Sequence, residues 1–176
     1  ISERRMNARD IVVGIAASGV TPYVHGAREQ AGESGASTVF LTCNPESTGQ
    51  VEVDVVIALA VGPEIVTGST RLKAGSATKL VLNTLSTIAM VRIGKVYENL
   101  MVDVRPMSAK LHDRARRILG ELTGIGESDA ARAIEDADND LKTAIVQTKR
   151  AVSKETARVL LQRNGGVVRR ALDDQD

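Results

Sequence analysis

Aromatic side chains are almost missing from this chain. Tyr23, Phe40 and Tyr97 are the only ones in 176 residues, about 2% of the composition, and none follows position 97. Surfaces that stack nucleobases need several aromatics, so a single-stranded nucleic-acid platform is excluded. Charge of one sign is missing too: 23 Lys and Arg against 22 Asp and Glu leave a net charge of +1. That removes the electrostatic case for nucleic acid or an anionic membrane surface. The lone cysteine, Cys43, has no partner for an internal disulfide, as in a reducing cytoplasm. At the end of an apolar run, it fits a small core residue better than a reactive thiol. No run reaches the ~18 apolar residues of a membrane span, and no signal peptide opens the chain. A cytoplasmic, membrane-free protein is expected. Ile1 stands where a Met would, and a polar stretch through Asp10 leads straight into a buried-type strand, so a fragment is expected.

Three short apolar runs, Ile11–Ala17, Ser37–Thr42 and Val55–Ala60, read as strands. None alternates with polar residues, the pattern of strands covered on both faces of a parallel sheet. Residues 22–34 form a crossover helix, with Pro22 in the first turn, Gly35 past the end, Tyr23, Val24 and Ala27 on one side, and Arg28, Glu29 and Glu33 elsewhere. Asn44–Asp54 is a polar link of loop or short helix. A long helix starts at Ser69 or Ser76, ends at Ile93 before Gly94, and is apolar nearly all round, which suits burial or a subunit interface. After Arg105-Pro106 the chain is rich in Ala, Arg and Asp, without strand-like runs. Four helices are expected there. The first carries Leu111, Ala115, Ile118, Leu119 and Leu122. Ser128 caps the second, Asn139 or Asp140 the third, and Ser153 the fourth, which closes at Asn164-Gly165-Gly166. The fold class is α/β: a doubly wound parallel sheet, about three strands of it present, followed by a small all-helical bundle. The domain division is expected at 1–105 and 106–176, with the two parts packed together.

Two loops follow strands and open helices. Ala17-Ser18-Gly19-Val20-Thr21 reads either as an ordinary capped turn or as a phosphate loop. Its place at the carboxyl edge of a parallel sheet favours a ligand. The second, residues 62–79, gathers Glu64, Thr67, Ser69, Thr70, Ser76, Arg71, Lys73 and Lys79. Free N–H groups at a helix start and short hydroxyls suit a phosphate monoester, so the two loops together read as a sugar-phosphate pocket. Glu64 either grips sugar hydroxyls or moves a proton near a reacting carbon. The candidate binding residues are Ser18, Gly19, Thr21, Glu64, Ser69, Thr70 and Lys73, with Glu64 the one catalytic candidate. His25 and His112 lie on helices without a second ligand at metal spacing, so surface or packing roles are expected and no metal. A hydrolase elbow is absent, and residues 14–19 lack the middle glycine of a dinucleotide loop, so no cofactor is expected.

Residues 13–24, 62–75 and 94–104, with Lys142–Val146 and Asn164–Gly166 in the tail, resemble the N-acetylmuramic acid 6-phosphate etherase family. Those enzymes are built on the sugar isomerase (SIS) domain, and the resemblance runs through essentially the whole chain. It implies a cytoplasmic, metal-free carbon–oxygen lyase of amino-sugar catabolism in peptidoglycan recycling. The ring opens, a base takes the C2 proton, D-lactate leaves C3, and water adds to give N-acetylglucosamine 6-phosphate. Related isomerases hold phosphate with Ser-x-Ser-Gly-x-Thr. Here Ala16 stands at the first Ser, while Ser18, Gly19 and Thr21 match. The family's first Gly-rich phosphosugar loop and its two proposed catalytic glutamates precede the segment matching Ile1, so this chain is expected to be the C-terminal part. The tail resembles a ubiquitin-associated-like bundle. A homodimer binding a phosphosugar is implied. The competing readings are a non-catalytic sugar-phosphate regulator, which shares Gly68–Lys73, and another SIS isomerase.

Overall fold

The computed structural model describes residues 6–49 and 51–175; Ile1, on which the fragment expectation rests, lies outside them. The chain forms two compact units, Ile1–Thr84 and Leu85–Asp176.

In the first unit, β1 (Ile11–Ile15), β2 (Ser37–Thr42) and β3 (Val55–Ala58) form a parallel sheet in that order, with Ile11 opposite Ser37 and Val39 opposite Val55. Helix α1 (Pro22–Glu33) connects the first two strands, and helix α2 (Lys73–Arg92) follows the third. The α/β class and the parallel sheet are as expected. Asp54 fixes the register of β3: its carboxylate accepts from the Thr38 amide at 2.7 Å and from the Thr38 hydroxyl at 3.1 Å. Those bonds hold the Asp54 carboxyl below its ordinary pKa.

Burial differs from the expectation. Phe40 and Leu41 of the central strand are enclosed, but Ile11, Val13 and Ile15 point to one face of β1 and stand exposed. Period-two geometry puts those three together, while Gly14, on the other face, packs on Val24 of α1. An apolar run therefore did not report two covered faces here. On α1, Tyr23 is 78% exposed and Arg28 only 6%. The guanidinium is buried because its Nη1 donates to the Glu52 carbonyl at 3.0 Å and its plane sits 5.7 Å from the Phe40 ring centroid. Of α2's residues only Ala74 is buried, and Leu80 is 68% exposed. Among the described residues nothing buries the rest of this helix.

The second unit begins within α2, at Leu85, and continues into a hairpin, β4 (Val96–Tyr97) and β5 (Leu100–Met101), which the sequence reading did not find. Five helices follow: α3 (Ala109–Thr123), α4 (Glu127–Asp136), α5 (Leu141–Arg150), α6 (Lys154–Arg163) and α7 (Val168–Asp173). Ser108 caps α3, Asp140 caps α5 and Ser153 caps α6, each accepting a backbone N–H. Helix α4 starts one residue before Ser128, capped by Gly126, with Glu127 and Asp129 in its first turn facing the positive helix end. Tyr97, Val102 and Val104 join Leu119, Leu141, Ile145 and Val168 in one core. Gly94 has φ +74°, and a Cβ there would lie 2.9 Å from the Gly166 carbonyl oxygen, so only glycine fits.

Candidate functional site

The carboxyl ends of the three parallel strands converge on a cleft of about 430 Å³, lined among others by Ser18, Asn44, Gly62, Glu64 and Thr70. Open α/β sheets bind ligands at this edge. A larger hollow of about 600 Å³ lies in the second unit, but Asp103, Asp138, Lys142 and Arg158 in its lining are already paired. Asp103 meets Lys95 at 2.7 Å and Lys142 at 3.5 Å, and Asp138 meets Arg158 at 2.6 Å and Lys154 at 3.2 Å. Those contacts hold both aspartates below their ordinary pKa, Asp103 chiefly through Lys95 and Asp138 chiefly through Arg158.

The loop after β1 has each of its carbonyls from Ala16 to Gly19 engaged. Ala16 O accepts from the Gly19 amide at 2.9 Å, and Ala17 O from the Cys43 amide at 3.1 Å. Ser18 O accepts from Asn44 Nδ2 at 3.2 Å, and Gly19 O from His25 Nε2 at 2.8 Å. With four successive oxygens engaged, the loop offers hydroxyls and the start of α1, which is the polarity an anion needs. Gly19 is required twice over. Its φ is +83°, and a Cβ would sit 1.9 Å from Ser47 Oγ. Thr21 begins α1 in an extended conformation and spends no side-chain bond on capping it.

Glu64 fastens the start of α2. Its Oε2 accepts from the Lys73 amide at 2.9 Å and its Oε1 from the Ala74 amide at 3.0 Å. These bonds, the Ala74 one foremost, hold its pKa below the usual glutamate value of 4.5. A carboxylate so held is a weak base, and both its oxygens are engaged. Lys73 Nζ comes within 3.7 Å of where a Gly62 Cβ would stand, so it is near the cleft rim. Cys43 is half-buried in the cleft wall, its thiol 3.6 Å from Ala74 O and from Thr78 Oγ1.

Of the residues read from sequence, Ser18, Glu64 and Thr70 line the cleft. Gly19 shapes the loop beneath them, Lys73 gives its amide to Glu64, and Thr21 and Ser69 lie outside the lining. Cys43 and Asn44 were missed as lining residues. The available signal was that Asn44-Pro45 follows a parallel strand, as the other two loops do. Among the described residues no group of three His, Cys, Asp or Glu can hold a metal ion. No described helix is long and apolar enough to cross a membrane.

No protein-family model matches the chain. Curated relatives do. The chain is 48% identical over 173 residues to the N-acetylmuramic acid 6-phosphate etherase of Synechocystis sp., covering 98% of this chain and 57% of that protein. It is 49% identical over 172 residues to those of Yersinia pestis and Yersinia pseudotuberculosis, covering 98% of this chain and 58% of each. The resemblance carried by the motifs thus extends along nearly the whole chain. It matches the C-terminal part of these homologues and spans less than two thirds of their length.

Proposed function

We propose that this chain is the phosphosugar-holding part of a carbon–oxygen lyase. The whole protein would convert N-acetylmuramic acid 6-phosphate and water to N-acetylglucosamine 6-phosphate and D-lactate. What supports the reading is the identity of nearly one half to etherases across 98% of the chain. The strand-end cleft with its engaged carbonyls agrees with it. In this reading the open-chain sugar loses its C2 proton to a base, the C3–O bond breaks with its electron pair leaving on lactate, and water adds at C3. Ser18 and Thr70 supply hydroxyl donors in the cleft, and Thr21 and the start of α1 complete the phosphate seat. Gly19 gives the loop its shape, and Ser69 and Lys73 belong to the segment that leads into α2. Glu64 organises that segment rather than moving the proton, because both of its oxygens accept amide hydrogens.

Residues 1–105 are read as part of an SIS phosphosugar domain and 106–176 as a ubiquitin-associated-like bundle, with the hairpin at 96–101 packed in the bundle's core. The protein works in the cytoplasm, in peptidoglycan recycling. The exposed apolar residues of α2, among them Leu80, Leu85 and Ile88, support a homodimer. The test is D-lactate release from N-acetylmuramic acid 6-phosphate by the full-length protein, with light scattering for the dimer. Lactate release that Ser18→Ala weakens supports the reading. Binding of the phosphosugar with no lactate released favours a sugar-phosphate regulator and overturns the lyase.

A further inference from the structure

The loop that seats the phosphate in this reading is held by two side chains that never enter the motif. Asn44, from the end of β2, donates its amide to Ser18 O at 3.2 Å, while its own Oδ1 accepts from the Glu46 amide at 3.3 Å. Both ends of the Asn44 side chain are therefore engaged, and only a group with a donor and an acceptor meets both demands. His25, one turn into α1, reaches back to Gly19 O at 2.8 Å. A carbonyl only accepts, so Nε2 carries the proton. Nδ1 is then the acceptor that Arg28 Nη2 faces at 3.4 Å. Arg28 is itself buried and bonded to the Glu52 carbonyl, which anchors the imidazole.

These two bonds take the carbonyls of adjacent residues, so neither oxygen is left as an unengaged acceptor beside the cleft. A planar peptide opposes its C=O to the following N–H. Fixing Gly19 O toward His25 therefore turns the Val20 amide the other way, outward with the start of α1. Released, either carbonyl is free to swing toward the seat and set a partial negative charge against an incoming phosphate. Asn44 has a second tie to the site, because it also lines the cleft beside Ser18.

We propose that Asn44 and His25 are positioning residues for phosphosugar binding: they keep the Ser18 and Gly19 carbonyls engaged, so that the loop presents donors alone. This rests on the phosphosugar reading of the cleft. Asn44→Asp keeps the shape and the Glu46 bond but places a carboxylate against a carbonyl oxygen. His25→Phe keeps a ring against Phe40 and removes the donor, whereas His25→Gln restores a donor and an acceptor.

The experiment measures affinity for N-acetylglucosamine 6-phosphate, and separately for inorganic phosphate, in the full native protein, together with KM, kcat and melting temperature. Asn44→Asp and His25→Phe should each weaken both affinities about ten-fold, the scale of one lost bond to a loop carrying charge. KM should rise with kcat and melting temperature little changed, and His25→Gln should recover most of the affinity. Parent-like affinity in both variants, with Ser18→Ala weakened, overturns the proposal and leaves the phosphosugar reading intact. Parent-like affinity in Ser18→Ala as well overturns both. Losses that merely track a falling melting temperature, without recovery by His25→Gln, also overturn the positioning role.

Discussion

In the second unit Leu119, Leu141, Ile145, Val102 and Val168 are fully enclosed, whereas among the described residues of the first only Phe40 and Leu41 are large apolar side chains so enclosed. The first unit instead displays Ile11, Val13, Ile15, Val55 and Val56 from its sheet, and Leu80 and Leu82 from its part of α2. The two regions have similar apolar content to work with and use it differently. The helical unit closes around its own side chains through caps and short loops. The sheet unit spends its order on polar work at one edge, where Thr42, Asn44, Ser47 and Glu64 bond loops to one another and to α2. Apolar surface of that extent marks an interaction face.

This contrast can be broken or sharpened by measurement. The largest effect is expected in the helical core: Leu119→Ala should cost about 2–5 kcal/mol in a denaturation experiment, because its site is enclosed and collapses poorly. Gly19→Ala comes next, at about 1–3 kcal/mol for forcing a side chain into a left-handed conformation, and it should abolish thermal stabilisation by the phosphosugar. Leu80→Ala should change the stability of the chain by only about 0.5 kcal/mol, being exposed, yet shift the monomer–dimer balance seen by light scattering. A large loss of stability without a shift in assembly would deny α2 its interface role.

The Glu64 prediction is one of pH. Its pKa is lowered in the folded chain, so its contribution is complete above the unfolded value near 4.5 and disappears as pH falls through the folded value. Glu64→Gln should flatten that acid limb of the melting curve, and an unaltered limb would assign it to other carboxylates such as Asp54. The smallest effect belongs to Arg117→Ala, whose partner Asp113 lies one helical turn away on a solvent face, within about 0.5 kcal/mol.

Local chemistry made much of this legible. Pro22 and Gly35 bracket α1, Gly124 ends α3, and Asp140 and Ser153 cap α5 and α6, because caps act within a few residues. Strand positions followed from the apolar runs. Their burial did not, since whether Ile11 and Ile15 are covered depends on partners remote in sequence. Arg28 reads as a surface cation by composition, and only the Glu52 carbonyl and Phe40 reveal why it is inside. In the site, Ser18, Glu64 and Thr70 were visible from loop chemistry. Asn44 was hidden because its role is to support a loop in another βα unit, a relation that spacing does not encode. The hairpin at 96–101 was hidden by its length, two residues a strand with Glu98 at φ +52°.

The parallel register of the sheet has a consequence in time. Ile11 finds Ser37, and Val39 finds Val55, only after intervening segments have ordered. Each helix of the second unit, by contrast, makes its backbone bonds within one turn. Chains dominated by near contacts fold faster than those built on distant pairings. On refolding of the complete chain, the bundle is therefore the part that forms first. The sheet unit stays longer in a state with its apolar strands unpaired, and pulse-labelling hydrogen exchange should find the amides of Val39–Leu41 protected after those of Ala144–Val146.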